Sequence, residues 1–216
     1  MTRSHGAAAL LFFGAFAQGC DPSETVARES ATTASGSSSA PVPGASSVKP
    51  KRPFCAAAPA ADGKKPASVT MARLFGDGTP DTSLTESLET GGGKWTWINL
   101  WAGWCQPCRE EMPILKAWEG QLSDKLRVRF VSLDDDARLA SRFLNQQPAT
   151  GVRQSYHLED DKAKSDFLDS IGLAKLDKLP MHVILDPAGA VRCVIKGSID
   201  AADLPSLQAM IARGQR

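Results

Sequence analysis

The chain has 216 residues, with 25 lysines and arginines against 24 aspartates and glutamates, a formal charge of +1 at neutral pH. That length leaves room for one domain plus further material, and there is no basic block with interleaved aromatic residues, which argues against a nucleic-acid partner. Five cysteines are more than a purely structural cytosolic role calls for, so their positions carry the argument.

Residues 1–20 read as an export signal: Arg3 is a positive n-region, Ala7 to Ala17 a short apolar h-region, and Gly19 precedes Cys20. The apolar run is shorter than the roughly 20 residues a membrane-spanning helix needs. A small residue before a lone cysteine resembles the cleavage site of bacterial lipoproteins, and by that resemblance Cys20 becomes the lipidated first residue of the mature chain. Ala17 stands where that family most often has Leu, and Gln18 is bulky, so a soluble periplasmic form and an unexported chain remain alternatives. Residues 21–66 are rich in Ala, Ser, Thr, Pro and Gly, with few large apolar side chains. Such a segment cannot bury enough surface to offset its ordering entropy, so a disordered tether is expected. Phe54-Cys55 is the exception near its end.

The folded domain is expected over 67–216. Val69 to Phe75 is a candidate strand, Gly76-Asp77-Gly78 a turn, and Leu84 with Leu88, four apart, predicts a short helical turn. Trp95 to Trp101 reads as a buried strand that turns at Ala102-Gly103 into a helix opening at Cys105. Cys105 and Cys108, three apart, share the first helical turn. Pro107 fits between them because first-turn amides have no helical acceptor to lose. The free amides and positive dipole end favour a thiolate, so Cys105 is expected to ionise readily. A structural zinc site needs four N/S ligands; one Cys-x-x-Cys is half of one, and His5, His157 and His182 are scattered. The pair therefore reads as a thiol–disulfide redox site.

The run Trp-Ile-Asn-Leu-Trp-Ala-Gly-Trp-Cys-Gln-Pro-Cys-Arg-Glu-Glu-Met-Pro, residues 97–113, resembles the thioredoxin-fold family and, within it, the TlpA-like thiol:disulfide oxidoreductases. The resemblance implies an α/β fold with three α/β/α layers and a mixed central sheet, a small N-terminal β-element and a central strand–helix insertion.

The remaining elements follow by pattern. Met112, Leu115, Trp118, Glu119 and Leu122 repeat at helical spacing. Leu126 to Leu133 is a second parallel strand. Asp134-Asp135-Asp136 is read as a solvated cap opening a helix from Ala137 to Gln146, not as a metal site. Gln154 to Leu158 is a short strand and Lys162 to Ile171 a helix. The apolar run after Pro180 is a strand, Asp186 to Gly189 a turn, Val191 to Lys196 the returning strand, and Asp203 to Arg213 an amphipathic closing helix.

By resemblance, Cys105 is the attacking thiol, Cys108 the resolving one, and Pro180 a cis proline facing them. Trp104, Gln106 and Pro107 are supporting residues. Asn99 stands where many thioredoxins carry a buried Asp that moves the second thiol's proton. Asn cannot do so at neutral pH, which leaves water, Glu110 or Glu111, although both glutamates also read as a solvated helix face. No cofactor and no metal is implied.

With Cys20, Cys105 and Cys108 assigned, Cys55 and Cys193 remain. In an oxidising compartment they are expected to pair; a buried Cys193 with a free or intermolecular Cys55 is the alternative. His182 could tune the thiols, bind copper, or simply pack. The functional expectation is a lipid-anchored reductant of protein disulfides on the periplasmic side of a bacterial membrane. Its partners would be substrate proteins with disulfides or thiols and a transmembrane thiol electron donor, and cytochrome c maturation or copper-site assembly would be its setting. A copper chaperone using Cys105, Cys108 and His182, and a redox-inert adaptor, are the rivals. A peroxiredoxin needs Thr three residues before its cysteine, where this chain has Ala102.

Overall fold

The structure is a computed structural model and describes residues 53–55, 62–77, 83–174, 176 and 178–214. The expected export signal, Cys20 and most of the tether lie outside the described residues.

Strand β3, Trp95–Trp101, is buried at every position, as a run of large apolar and β-prone residues covered on both faces must be. It pairs in parallel with β4, Leu126–Ser132, setting Trp95 opposite Leu126, and antiparallel with β6, Met181–Leu185, setting Leu100 opposite Met181. Outward from β4 come β5 (Gln154–His157), β1 (Thr70–Phe75) and β2 (Thr85–Ser87); outward from β6 comes β7 (Val191–Lys196). The order is β2-β1-β5-β4-β3-β6-β7, a mixed sheet with β3, β4 and β5 parallel.

Alternation along β3 builds the layers. Trp95, Trp97 and Trp101 pack with Met112, Leu115 and Trp118 of helix α1 (Gln106–Gln121), Leu144 of α2 (Ala137–Asn145) and Leu207 and Ile211 of α4 (Leu204–Arg213). Ile98 and Leu100 pack on the other side with Phe167 and Leu168 of α3 (Asp161–Ser170) and Val183 of β6. Each such side chain, once buried, contributes about 1.5–3 kcal/mol.

Two expectations are corrected here. The helical turn predicted by Leu84 and Leu88 is instead β2, paired antiparallel to β1 with Thr70 opposite Ser87. The open edge of β1 supplies a ladder for the backbone, and with Leu84 half-exposed no buried helical face forms to compete. Ordered contact with the domain also begins before residue 67. Gly63 donates to the Val191 carbonyl at 2.9 Å, and the Val191 amide returns a bond to Lys64 at 2.8 Å, extending the edge beyond β7.

Candidate active site

At the end of β3 the chain turns through Ala102 and Gly103. A Cβ on Gly103 would lie 2.6 Å from the Leu139 carbonyl oxygen, so only glycine allows the corner to approach α2 this closely. The Cys105 amide donates to the Ala102 carbonyl at 3.0 Å and closes the turn. Cys105 is then the N-cap of α1: its backbone is extended and its Sγ accepts the Cys108 amide at 3.3 Å. A sulfur in the place usual for a Ser or Asp oxygen puts an otherwise unpaired helix amide on the thiol. Cys105 and Cys108 are disulfide-bonded with Cα atoms 5.3 Å apart, and both are buried. Trp104 is 68 % exposed. Gln106 and Pro107 are exposed on the first turn, and Gln106 bonds Glu110 at 2.8 Å.

Beneath this turn lies a buried polar cluster. Glu111, one turn after Cys108 on the inner face of α1, is 2 % exposed, which corrects its reading as solvated; Glu110 is exposed. Glu111 Oε1 accepts from Asn99 Nδ2 at 2.8 Å and Oε2 from the Ile199 amide at 3.1 Å. His182 Nε2 stands 3.4 Å from Oε1. The other ring nitrogen, Nδ1, faces Trp97 Nε1 at 3.1 Å and Asn99 Nδ2 at 3.3 Å.

A second cluster holds the corner from behind. Asp134, read as part of a solvated cap, is fully buried; the Gly103 amide donates to both its oxygens, at 2.8 and 3.0 Å, and Ser132 Oγ donates at 2.9 Å. Only Asp136 caps α2, through the Arg138 amide. Burial pushes Asp134 above the ordinary carboxylate range, against the Gly103 and Ser132 hydrogen bonds. His157, whose Nδ1 lies 3.3 Å from Ser132 Oγ, is held below its ordinary value by burial, against the nearby Glu159 and Asp134 charges. The unfolded chain therefore takes up the His157 proton first, so the stability His157 contributes is present above pH about 6.5 and lost as pH falls through the lowered folded value. Melting temperature should fall on acidification from about pH 7 to 5, and His157→Gln should flatten that fall; an unchanged slope would count against it.

The Leu179–Pro180 peptide is cis, and Pro180 is buried. With Met181 opposite Leu100, Pro180 stands one place further, beside the end of β3 that leads into the corner; its carbonyl accepts the Gly197 amide at 3.0 Å. Cys55 is joined to Cys193 with Cα atoms 5.2 Å apart, and Phe54 meets Trp97 edge-on at 6.1 Å. Among the described residues, no three His, Cys, Asp or Glu side chains gather into a group that could hold a metal ion.

The thioredoxin-like family model covers residues 92–191, from the glycines before β3 to the start of β7. Residues 92–191 take a thioredoxin-like fold. Among curated relatives, the thiol-disulfide oxidoreductase ResA of Oceanobacillus iheyensis is 26 % identical over 135 residues, 57 % of this chain and 66 % of that protein. The thioredoxin-like protein YneN of Bacillus subtilis is 41 % identical over 59 residues, 24 % of this chain and 35 % of that protein. The chain thus spans less than two thirds of these relatives' lengths. A solved chain from Chlorobium tepidum, described as a candidate thiol:disulfide interchange protein DsbE, superposes with a TM-score of 0.54 at 21 % identity, covering 72 % of this chain and 98 % of that one. At that identity the likeness is one of fold.

Within the thioredoxin-like domain, sequence reasoning missed the burial of Glu111 and Asp134. For Glu111 a signal existed: Cys108, Glu111, Met112, Leu115 and Trp118 form the buried stripe of α1, and Glu111 keeps its helical spacing. For Asp134 no local signal existed, because its partner is the Gly103 amide, 31 residues earlier.

Proposed function

We propose that the chain is a thiol-disulfide oxidoreductase that reduces or exchanges disulfides of substrate proteins through Cys105 and Cys108. The observation that carries the reading is a cysteine pair at the opening of α1, with the Cys108 amide on Cys105 Sγ and a buried carboxylate, Glu111, one turn below. In the reduced form the amide and the helix dipole favour a Cys105 thiolate. That thiolate attacks one sulfur of a substrate disulfide, whose S–S bond breaks and whose other sulfur leaves as a thiolate. Cys108 passes its proton to Glu111 and attacks Cys105 Sγ; the mixed disulfide breaks and the second substrate sulfur leaves. Two electrons have passed to the substrate. Its two thiolates take up one proton from Glu111 and one from water.

In this reading Asn99 orients Glu111, Trp104 offers an exposed apolar face beside the first thiol, and Pro107 and Gln106 keep the first turn open. Pro180, by the resemblance, faces the thiols. The resemblance to TlpA-like proteins extends the proposal to a place on the periplasmic side, tethered through lipidated Cys20, recharged by a transmembrane thiol donor, and serving cytochrome c maturation or copper-site assembly. The test is reduction of insulin disulfides by the purified chain with dithiothreitol as electron source. Precipitation of the insulin B chain well ahead of the dithiothreitol control is expected; no acceleration would leave the redox-inert adaptor.

A further inference from the structure

Glu111 receives bonds from Asn99 and the Ile199 amide, and a third group stands against it. His182 Nε2 lies 3.4 Å from Oε1, with both side chains buried. The neighbours of its other nitrogen fix which proton it carries. An indole N–H only donates, so Trp97 Nε1, 3.1 Å from His182 Nδ1, requires a lone pair there. Asn99 Nδ2 reaches the same Nδ1 at 3.3 Å and also donates. Turning the Asn99 amide over would set its oxygen against two acceptors, Glu111 Oε1 and His182 Nδ1. Two donors at Nδ1 place the neutral ring's proton on Nε2, a buried nitrogen with no hydrogen bond in this oxidised form, 3.4 Å from the carboxylate.

We propose that His182 is a positioning residue for the resolving step, presenting Nε2–H to Glu111 so that the carboxylate stays turned to the face of α1 that carries Cys108. The proposal rests on the reading of Cys105 and Cys108 as the redox pair. Trp97 and Asn99 set the tautomer, and Trp97 is itself held between Phe54, Trp118 and His182 at 5.5–6.1 Å. Without the imidazole, the Asn99 and Ile199 bonds remain, but Oε1 loses the neighbour on its β6 side and the carboxylate is held less firmly toward Cys108. The attack by Cys105 uses the cap amide and not this cluster, so the two steps respond differently.

The experiment follows a single turnover of the reduced chain with a disulfide peptide, resolving mixed-disulfide formation from its release. In His182→Asn, which is too short to reach Glu111, release should slow about tenfold, the worth of one hydrogen bond to a charged group, while formation changes less than about twofold. His182→Gln, whose amide N–H replaces the Nε2 donor, should recover most of the rate of release. Adding His182→Asn to Glu111→Gln should slow release no further than Glu111→Gln alone. Equal slowing of both steps, the same behaviour in Asn and Gln variants, or additive effects in the double variant would each overturn the role of His182. Absence of any mixed disulfide in the wild-type chain would instead overturn the redox reading beneath it. If His182→Asn fails to fold, His182→Leu, which keeps apolar bulk and removes the Nε2 donor, should slow release alone; an unchanged release rate would again overturn the proposal.

Discussion

Cys105→Ser is expected to bring insulin reduction down to the uncatalysed background, and Cys108→Ser to accumulate mixed disulfides with substrate proteins. The two variants differ because the two sulfurs sit differently. Cys105 caps the helix and accepts the Cys108 amide at 3.3 Å, so it is the sulfur best able to carry charge. Cys108 is fully buried one turn on, where desolvation opposes a thiolate, and its proton must go to a neighbour before it can attack. A serine oxygen at position 105 keeps the cap but is a far weaker nucleophile toward sulfur, so the loss is chemical and the fold is retained. A serine at 108 leaves the first attack intact and removes the thiol placed to resolve it. Wild-type activity in the Cys105 variant, or failure of the Cys108 variant to trap partners from an extract treated with acid and alkylated, would remove both thiols from the roles proposed for them.

How much of this was legible in the sequence depended on distance along the chain. The run Trp95–Trp101 and the turn into Cys105 are local, and their apolar run, corner glycine and first-turn proline all point to one structure. The pairing of β3 with β6 leaves no such trace, and with it goes the meeting of His182, Asn99 and Trp97. Glu111 looked like one of two adjacent glutamates on a helix; its helical spacing with Cys108, Met112 and Leu115 marked it as inward, but its partner, the Ile199 amide, lies 88 residues later. The acidic run after β4 was legible as a helix opening only for Asp136. Asp134 lies two residues earlier, buried just past the end of β4, and answers the amide of Gly103. β2 was misread because two leucines four apart suit a helical turn as well as a strand edge when only three residues decide it.

Cys55→Ala is expected to cost the domain about 2–5 kcal/mol, lowering its melting temperature by about 5–15 °C, with insulin reduction retained. Cys55 and Cys193 are 138 residues apart in sequence, and closing a loop of that length removes enough denatured-state entropy to give an upper figure of about 5 kcal/mol. The bond also holds Phe54 against Trp97, so the segment that would otherwise lose ordering entropy contributes packing in return. Cys55 is the better member to replace: Cys193 is fully buried opposite Ile184, and an alanine there would add a cavity cost, mixing two effects. The two disulfides should also separate by reductant. Substrates must reach Cys105 for the proposed exchange to occur, whereas Cys193 is closed in by β6 and α4 side chains, so mild dithiothreitol should open Cys105–Cys108 first. Alkylation before and after limited reduction, followed by peptide mapping, reads the order directly. An unchanged melting temperature in Cys55→Ala, or free Cys55 and Cys193 thiols in non-reduced protein, would dismiss the staple and leave Cys193 as a buried core residue.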